Sequence, residues 1–321
     1  MANHTSNIYT SHYDTSILDS ATGKVPYSLT NDYLFRAVMQ DNKNVLKGLV
    51  CSLLHLNEKE INSIDIRNPI ILGEQIDSKT FILDLKILLN NKELINIEMQ
   101  ITNYLDWPDR SIGYLSREFD QLNRGSAYSN VLPVHQIGIL NFTLFPECPE
   151  FYATNKIMNV RNHHIYSDKF TLSVLDLTQI HIANERDISY QLDYWAKLFL
   201  AKTWEDIKML ADKNDAIKEA AATMYVMSAD EKIRMQCEAR ERYEYEQKAA
   251  IGCGLKLGEE KGFKKGLEKG QKDGRNEGHK EERDRFASLA NRLKADHRDD
   301  EIITAATDPQ YCEKLYKEYQ L

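Results

Sequence analysis

The chain has 321 residues, 42% of them hydrophobic, which allows one good-sized core plus an appendage and excludes an intrinsically disordered protein. A formal charge of −8 excludes binding nucleic acid through bulk positive charge, so any such contact has to come from a local basic patch or from bound cations. Five cysteines without C-x-x-C spacing exclude a zinc knuckle or disulfide framework, and the polar start and lack of a long apolar run place the chain in the cytoplasm with no membrane contact.

In chain order, residues 1–25 are polar and aperiodic and read as a flexible N-terminal tail. Thr30, Asn31 and Asp32 then offer helix caps ahead of Leu34, Phe35, Val38 and Met39, and a second helix is expected over 44–56. Strand-like runs follow at 61–68, 81–89, 94–101 and 135–142. Between the last two, Pro108 and the spacing of Ile112, Leu115, Phe119 and Leu122 predict a helix. Helices, strands, helix, strand is the order of an α/β or α+β sandwich, and residues 26–185 are expected to form it as one domain. Beyond Leu177 strand signals largely end, and 186–250 reads as a helical region with a capping-box match at Ser228-Ala229-Asp230-Glu231.

From Gly254 to Gly278 a glycine recurs at every fourth position. On a helix this spacing drifts by about 40° per step and gives a slowly winding bare stripe among Lys, Arg and Glu. Each glycine costs roughly 1 kcal/mol against alanine, so 251–284 is either a flexible charged linker or a helical stalk through which the chain forms a homo-oligomer. Residues 285–321 read as a small C-terminal helical element, suited to a helix-turn-helix DNA reader, a cap or a dimer contact.

The segment FILDLKILLNNKELINIEMQI carries the chemistry. In its first strand Leu83, Leu85, Ile87 and Leu89 share one face while Asp84 and Lys86 share the other; in its second, Ile95, Ile97, Met99 and Ile101 lie opposite Glu98 and Gln100. Keeping the apolar faces together requires an odd-membered loop, Asn90-Asn91-Lys92, which pairs Leu89 with Glu93 and sets Asp84 across from Glu98. Their Cα atoms are then about 4.5 to 5.5 Å apart, a spacing at which two bare carboxylates repel and a divalent cation relieves them. Mg²⁺ suits two carboxylates because it keeps several waters that a phosphate oxygen can displace, and Gln100 on the same face can orient an attacking water. The plain alternative is an exposed polar face neutralised by Lys86.

Several linked motifs surround this hairpin: Asn31-Asp32-Tyr33-Leu34-Phe35, Phe81-Ile82-Leu83-Asp84-Leu85-Lys86, Ile97-Glu98-Met99-Gln100, Arg110-Ser111-Ile112-Gly113-Tyr114-Leu115, Gly125-Ser126-Ala127-Tyr128 and the run from Leu132 to Leu140. In this order the chain resembles the PD-(D/E)XK nuclease family transposases, related to the recombination-promoting nucleases of bacteria. The resemblance implies an α/β restriction-endonuclease-like core, a central mixed sheet flanked by helices, followed by an α-helical C-terminal region. It also implies a Mg²⁺-dependent DNA endonuclease, with Mn²⁺ as a substitute ion, acting in recombination, transposition or mobile-element defence. Asp84 and Glu98 become the catalytic metal ligands, and Gln100 takes the place of the lysine usual in the wider superfamily. A neutral amide cannot stabilise developing negative charge as an ammonium does, which keeps open a weak or inactive nuclease fold that binds DNA or assembles through its helical C-terminal region. RNA as substrate also stays open.

Four further expectations concern supporting residues. Asp32 is either a helix N-cap or a supporting group at the metal site. Arg110, Tyr114 and Arg117 share a helical face and either contact DNA phosphates or pair with nearby acids. Glu74 and Asp77 are outer groups of the site or part of a solvated loop. His163 and His164, as neighbours on a strand, point to opposite faces and do not form a metal pair.

Overall fold

The computed structural model describes residues 13–70, 72, 84–120, 122, 125 and 127–321. Glu74, Asp77 and the first positions of the strand expected at 81–89 lie outside them. The chain divides into two compact units, Met1–Lys248 and Ala249–Leu321.

The first unit opens with helices α1 (Asp32–Asp41) and α2 (Lys43–Leu54). Asn31 caps α1 by accepting from the Leu34 N–H at 3.2 Å, so Asp32 is not the cap; it is the first helical residue and its carboxylate is left for other work. Strands β1 (Ile64–Ile66), β2 (Leu85–Leu89) and β3 (Glu93–Gln100) follow, then helix α3 (Trp107–Phe119) and strand β4 (Val134–Leu140). Next come β5 (Tyr152–Met158) and β6 (Ile165–Asp176), and the helices α4 (Glu185–Ser189), α5 (Leu192–Leu200), α6 (Trp204–Ala211) and α7 (Asp215–Ala229). Helix α8 (Glu231–Ala295) begins in this unit. Its cap is Asp230, which accepts from the Ile233 N–H at 3.0 Å; Ser228 of the expected capping box stays inside α7.

The six strands form one mixed sheet in the order β1-β2-β3-β4-β6-β5. The β3–β4 and β4–β6 pairs are parallel and the others antiparallel, with α3 making the crossover that the parallel β3–β4 pair needs. On one face Ile95, Ile97 and Met99 join residues of α1, α2, α5 and α7 in the main core. The opposite face of β3 is buried as well, beside α3, where Asn96 donates to Gln136 Oε1 at 2.9 Å and Trp107 packs with Leu140 and Val174. The polar side of the hairpin is therefore enclosed and not a solvent face.

Residues 13–25 depart from the flexible tail expected there. A 3-10 helix, Thr15–Ser20, places Leu18 in the main core with Ala21 behind it, and Lys24 bridges to Thr203. Ile17, Leu18 and Ala21, set in a polar stretch, have too short a run to show a period that would reveal a buried contact. His163 and His164 lie in the turn between β5 and β6, with His163 at φ 56°, and not on a strand.

In the second unit the remainder of α8 carries the glycine repeat as continuous helix, and a Cβ added at Gly254 or at any later glycine meets nothing within 4 Å. Leu289 and Leu293 of α8 pack with residues of α9 (Asp300–Thr307) and α10 (Pro309–Glu318) in a small separate core. Among the described residues, no helix is long and apolar enough to cross a membrane.

Candidate active site

Local backbone chemistry sets the register of the hairpin. Asn90 and Asn91 adopt left-handed conformations (φ 52° and 56°), which asparagine tolerates, and the three-residue loop pairs Leu89 with Glu93. Asn90 also ties the turn to the chain before β1, accepting from Asn62 N at 2.7 Å and donating to the Glu60 carbonyl at 2.8 Å. Pairing of Leu85 with Ile97 then carries Asp84, the residue before β2, to the position facing Glu98.

The backbone at Asp84 is held from two sides: its carbonyl accepts from the buried Arg36 guanidinium of α1 and from Asn68 Nδ2 at 3.0 Å. Its carboxylate lies 4.0 Å from the Lys86 ammonium through Oδ2, while Oδ1 is buried without a hydrogen-bond partner. Lys86 in turn pairs with Glu118 of α3 at 2.5 Å. Glu98 is ion-paired with Arg110 through Oε1, and its Oε2 is likewise buried without a partner. Two neighbouring carboxylates each keep one bare buried oxygen, a costly arrangement unless a cation completes it.

Electrostatics point the same way. Burial, helped by Asp84, Asp106 and Asp32 and opposed by Arg110, pushes the Glu98 carboxyl up to about 7. Burial also raises Asp84 against the pull of Lys86 and Arg36, and raises Asp32 against that of Arg240. A bound cation would hold all three as anions. Among the described residues no group of three or more His, Cys, Asp or Glu side chains is arranged to hold a metal.

Gln100 is already engaged. Its amide donates to the Thr102 carbonyl at 2.8 Å, and its oxygen faces Arg110 Nη1 at 3.4 Å. Arg110 stacks over the Tyr114 ring at 5.4 Å, and Arg117 approaches the same ring at 5.7 Å. The helix bearing these three is seated by Trp107, whose indole lies on Gly138 of β4; a Cβ there would overlap the ring. Gly138 is the register partner of Glu98, so the contact that fixes α3 lies one strand from the carboxylate that Arg110 reaches.

Asp84, Glu98, Gln100, Asp32, Arg110 and Tyr114 line one cavity of about 40 Å³, room for a small ion and about two waters. Arg117 is not in its lining. Tyr104 of the wall escapes sequence reasoning, as do two residues of α8: Arg240, which holds the Asp32 carboxylate at 2.7 Å, and Glu244, which Arg240 also reaches at 2.7 Å. Their four-residue spacing in an ordinary charged helix carries no local signal. Glu244 further accepts from Thr102 Oγ1 at 2.9 Å, closing a chain of contacts from α8 to the end of β3.

A family model for the PD-(D/E)XK nuclease family transposases matches residues 29–253. The chain belongs to this family. No curated protein and no solved structure matches it. The mixed sheet flanked by helices is the α/β restriction-endonuclease-like fold of PD-(D/E)XK proteins, and the family match takes in all six strands and the start of α8, including Arg240 and Glu244.

Proposed function

We propose that this PD-(D/E)XK family member is a divalent-metal-dependent DNA endonuclease that hydrolyses phosphodiester bonds, with Asp84 and Glu98 as metal ligands and Mg²⁺ as the ion, replaceable by Mn²⁺. The observation that carries this reading is the pair of facing carboxylates, each with one buried oxygen lacking a partner. Mg²⁺ fits because it takes one or two carboxylates and keeps its other positions for water and phosphate oxygen. An ion held by Asp84 and Glu98 would supply polarisation of the phosphodiester and activation of the attacking water.

The protein's own residues supply orientation and charge. Asp84 is fixed through its carbonyl by Arg36 and Asn68, and Glu98 is aimed by Arg110. Arg110, stacked on Tyr114, is placed to move from Glu98 to a substrate phosphate, where a guanidinium binds in a forked geometry. Arg117, on the same face, suits a neighbouring phosphate. Gln100 acts as a positioning residue for Arg110 and the end of β3, and Asp32 with Arg240 supports the cavity wall. Five free cysteines accord with a reducing, cytoplasmic setting. Recombination, transposition and defence against mobile DNA all use such a cut.

Cleavage of supercoiled plasmid with Mg²⁺ or Mn²⁺ tests the reading. Asp84→Ala and Glu98→Ala are each expected to lower cutting by about a thousandfold, since several kcal/mol of charge stabilisation depend on the ion they hold. Equal cutting by all three proteins, or none by the wild type, would overturn it. The engagement of Gln100 favours a second reading, a DNA-binding or assembly protein that keeps the fold without turnover and works through its C-terminal helices or a homo-oligomer. In that case the wild type binds DNA and leaves it intact.

A further inference from the structure

We propose that the arm formed by β5 and β6 is a second DNA-contacting surface, a two-stranded ribbon that engages the duplex through its exposed side chains. The inference takes from the functional reading only that DNA is the ligand, and the two are separable by experiment.

The topology makes the ribbon. Strand β4 pairs with β6 only from Phe170 onward, so residues of β6 before Phe170 pair with β5 alone, beyond the end of the neighbouring strand. Met158 pairs with Ile165 near the tip, and the turn is closed by Asn159 N–H donating to the His164 carbonyl and His163 N–H to the Asn159 carbonyl, both at 2.8 Å. At its base Lys169 donates to the Ser129 and Val131 carbonyls at 3.1 and 2.8 Å, which anchors the arm to the body of the unit.

Its local charge is opposite in sign to that of the whole chain. Across residues 156–169 Lys156, Arg161 and Lys169 stand against a single acid, Asp168, with His163 and His164 in the turn, in a protein of net charge −8. Lys156 and Arg161 have no ion-pair partner among the described residues, and Val160 and Tyr166 are 86% and 83% exposed. A polyanion with apolar groove surfaces matches both: a two-stranded ribbon fits a DNA groove, and apolar side chains there meet base edges and sugars.

The test is duplex binding by full-length protein, followed by fluorescence anisotropy in Ca²⁺ over a range of salt. Against wild type, the double variant Lys156→Glu, Arg161→Glu is expected to bind at least about tenfold more weakly and to lose roughly two units of the salt slope, one per phosphate contact. Lys156→Arg, Arg161→Lys should keep both, and unchanged melting temperatures show that folding is intact. Unchanged affinity and slope in the charge-reversed protein would overturn the inference, as would a wild type that binds no duplex. So would a variant whose only change is a smaller assembly mass, which would make the ribbon a contact between copies. A wild type that never cuts yet binds in this ribbon-dependent way would remove the nuclease reading and leave the ribbon standing.

Discussion

Glu98 couples the proposed ion to the stability of the fold. Its carboxyl is raised from 4.5 to about 7 because the folded protein buries it, so the folded state holds the proton more tightly than the unfolded state. The stability it contributes is complete below its unfolded value and is lost as pH rises to about 7, on the order of 3 kcal/mol. Asp84 and Asp32 are shifted in the same direction and add to the slope. Without divalent ions, the melting temperature is expected to fall between about pH 5 and pH 8. Glu98→Gln should remove much of that fall, and Mg²⁺ should raise the melting temperature at the upper pH and not at the lower, where the carboxylates are protonated. A flat profile, or equal effects of Mg²⁺ at both ends, would contradict this. Lys86 is the other decisive residue at this scale. With Gln100 neutral and Arg110 on Glu98, its ammonium, 4.0 Å from Asp84, supplies positive charge on the Asp84 side. Lys86→Ala should slow cutting on the order of tenfold while Lys86→Arg retains most of the rate, and equal rates in the two variants would count against a charge role.

At the scale of elements, the site depends on how α3 lies across the sheet. Trp107 can rest on β4 only because Gly138 has no side chain, and three residues later Arg110 meets Glu98. Gly138→Ala is expected to cost about 1 to 3 kcal/mol in denaturant unfolding and to weaken cutting by more than that loss of folded protein explains, because the displaced helix draws Arg110 away. Stability lost with full activity per folded molecule would break the link. The other positioning element is the turn at Asn90-Asn91-Lys92. Its odd length was legible from the alternation of Leu85, Ile87 and Leu89 with Asp84 and Lys86, and the pairing of Leu89 with Glu93 follows from it. The β5–β6 ribbon was not legible in the same way, because its exposed Ile157, Met158, Val160 and Ile165 have no polar alternation to declare a strand.

At the scale of the whole chain, the sequence spoke clearly where neighbours in space are neighbours in sequence. The carboxylate pair, the crossover helix and the helical character of the later region could be read that way. What closes the cavity could not: Arg240 reaches Asp32 across 208 positions, and nothing in the charged run around Arg240 distinguishes it from Arg242, which pairs with Glu238 along the helix. Gln100 illustrates a different blindness, since alternation gave its face and only the packed structure gave its hydrogen bonds to Thr102 and Arg110. Arg240→Ala leaves a buried carboxylate without its cation. It is expected to destabilise the chain by about 3 to 5 kcal/mol in urea unfolding, and Asp32→Asn in the same background should recover part of the loss. No recovery would mean that the pair is not the source of the defect.

That long link also has a meaning in time. A ribosome adding about 5 to 20 residues per second takes roughly 10 to 40 seconds to go from Asp32 to Arg240. Throughout that interval the carboxylate of α1 has no guanidinium to meet, and the wall of the cavity has no Arg240 or Glu244. A chain arrested before Arg240 should therefore remain protease-sensitive and inert toward DNA. The growing polypeptide holds Asp84 and Glu98 long before the cavity around them can close, and the proposed cutting activity would be completed only when nearly the whole family domain has been made.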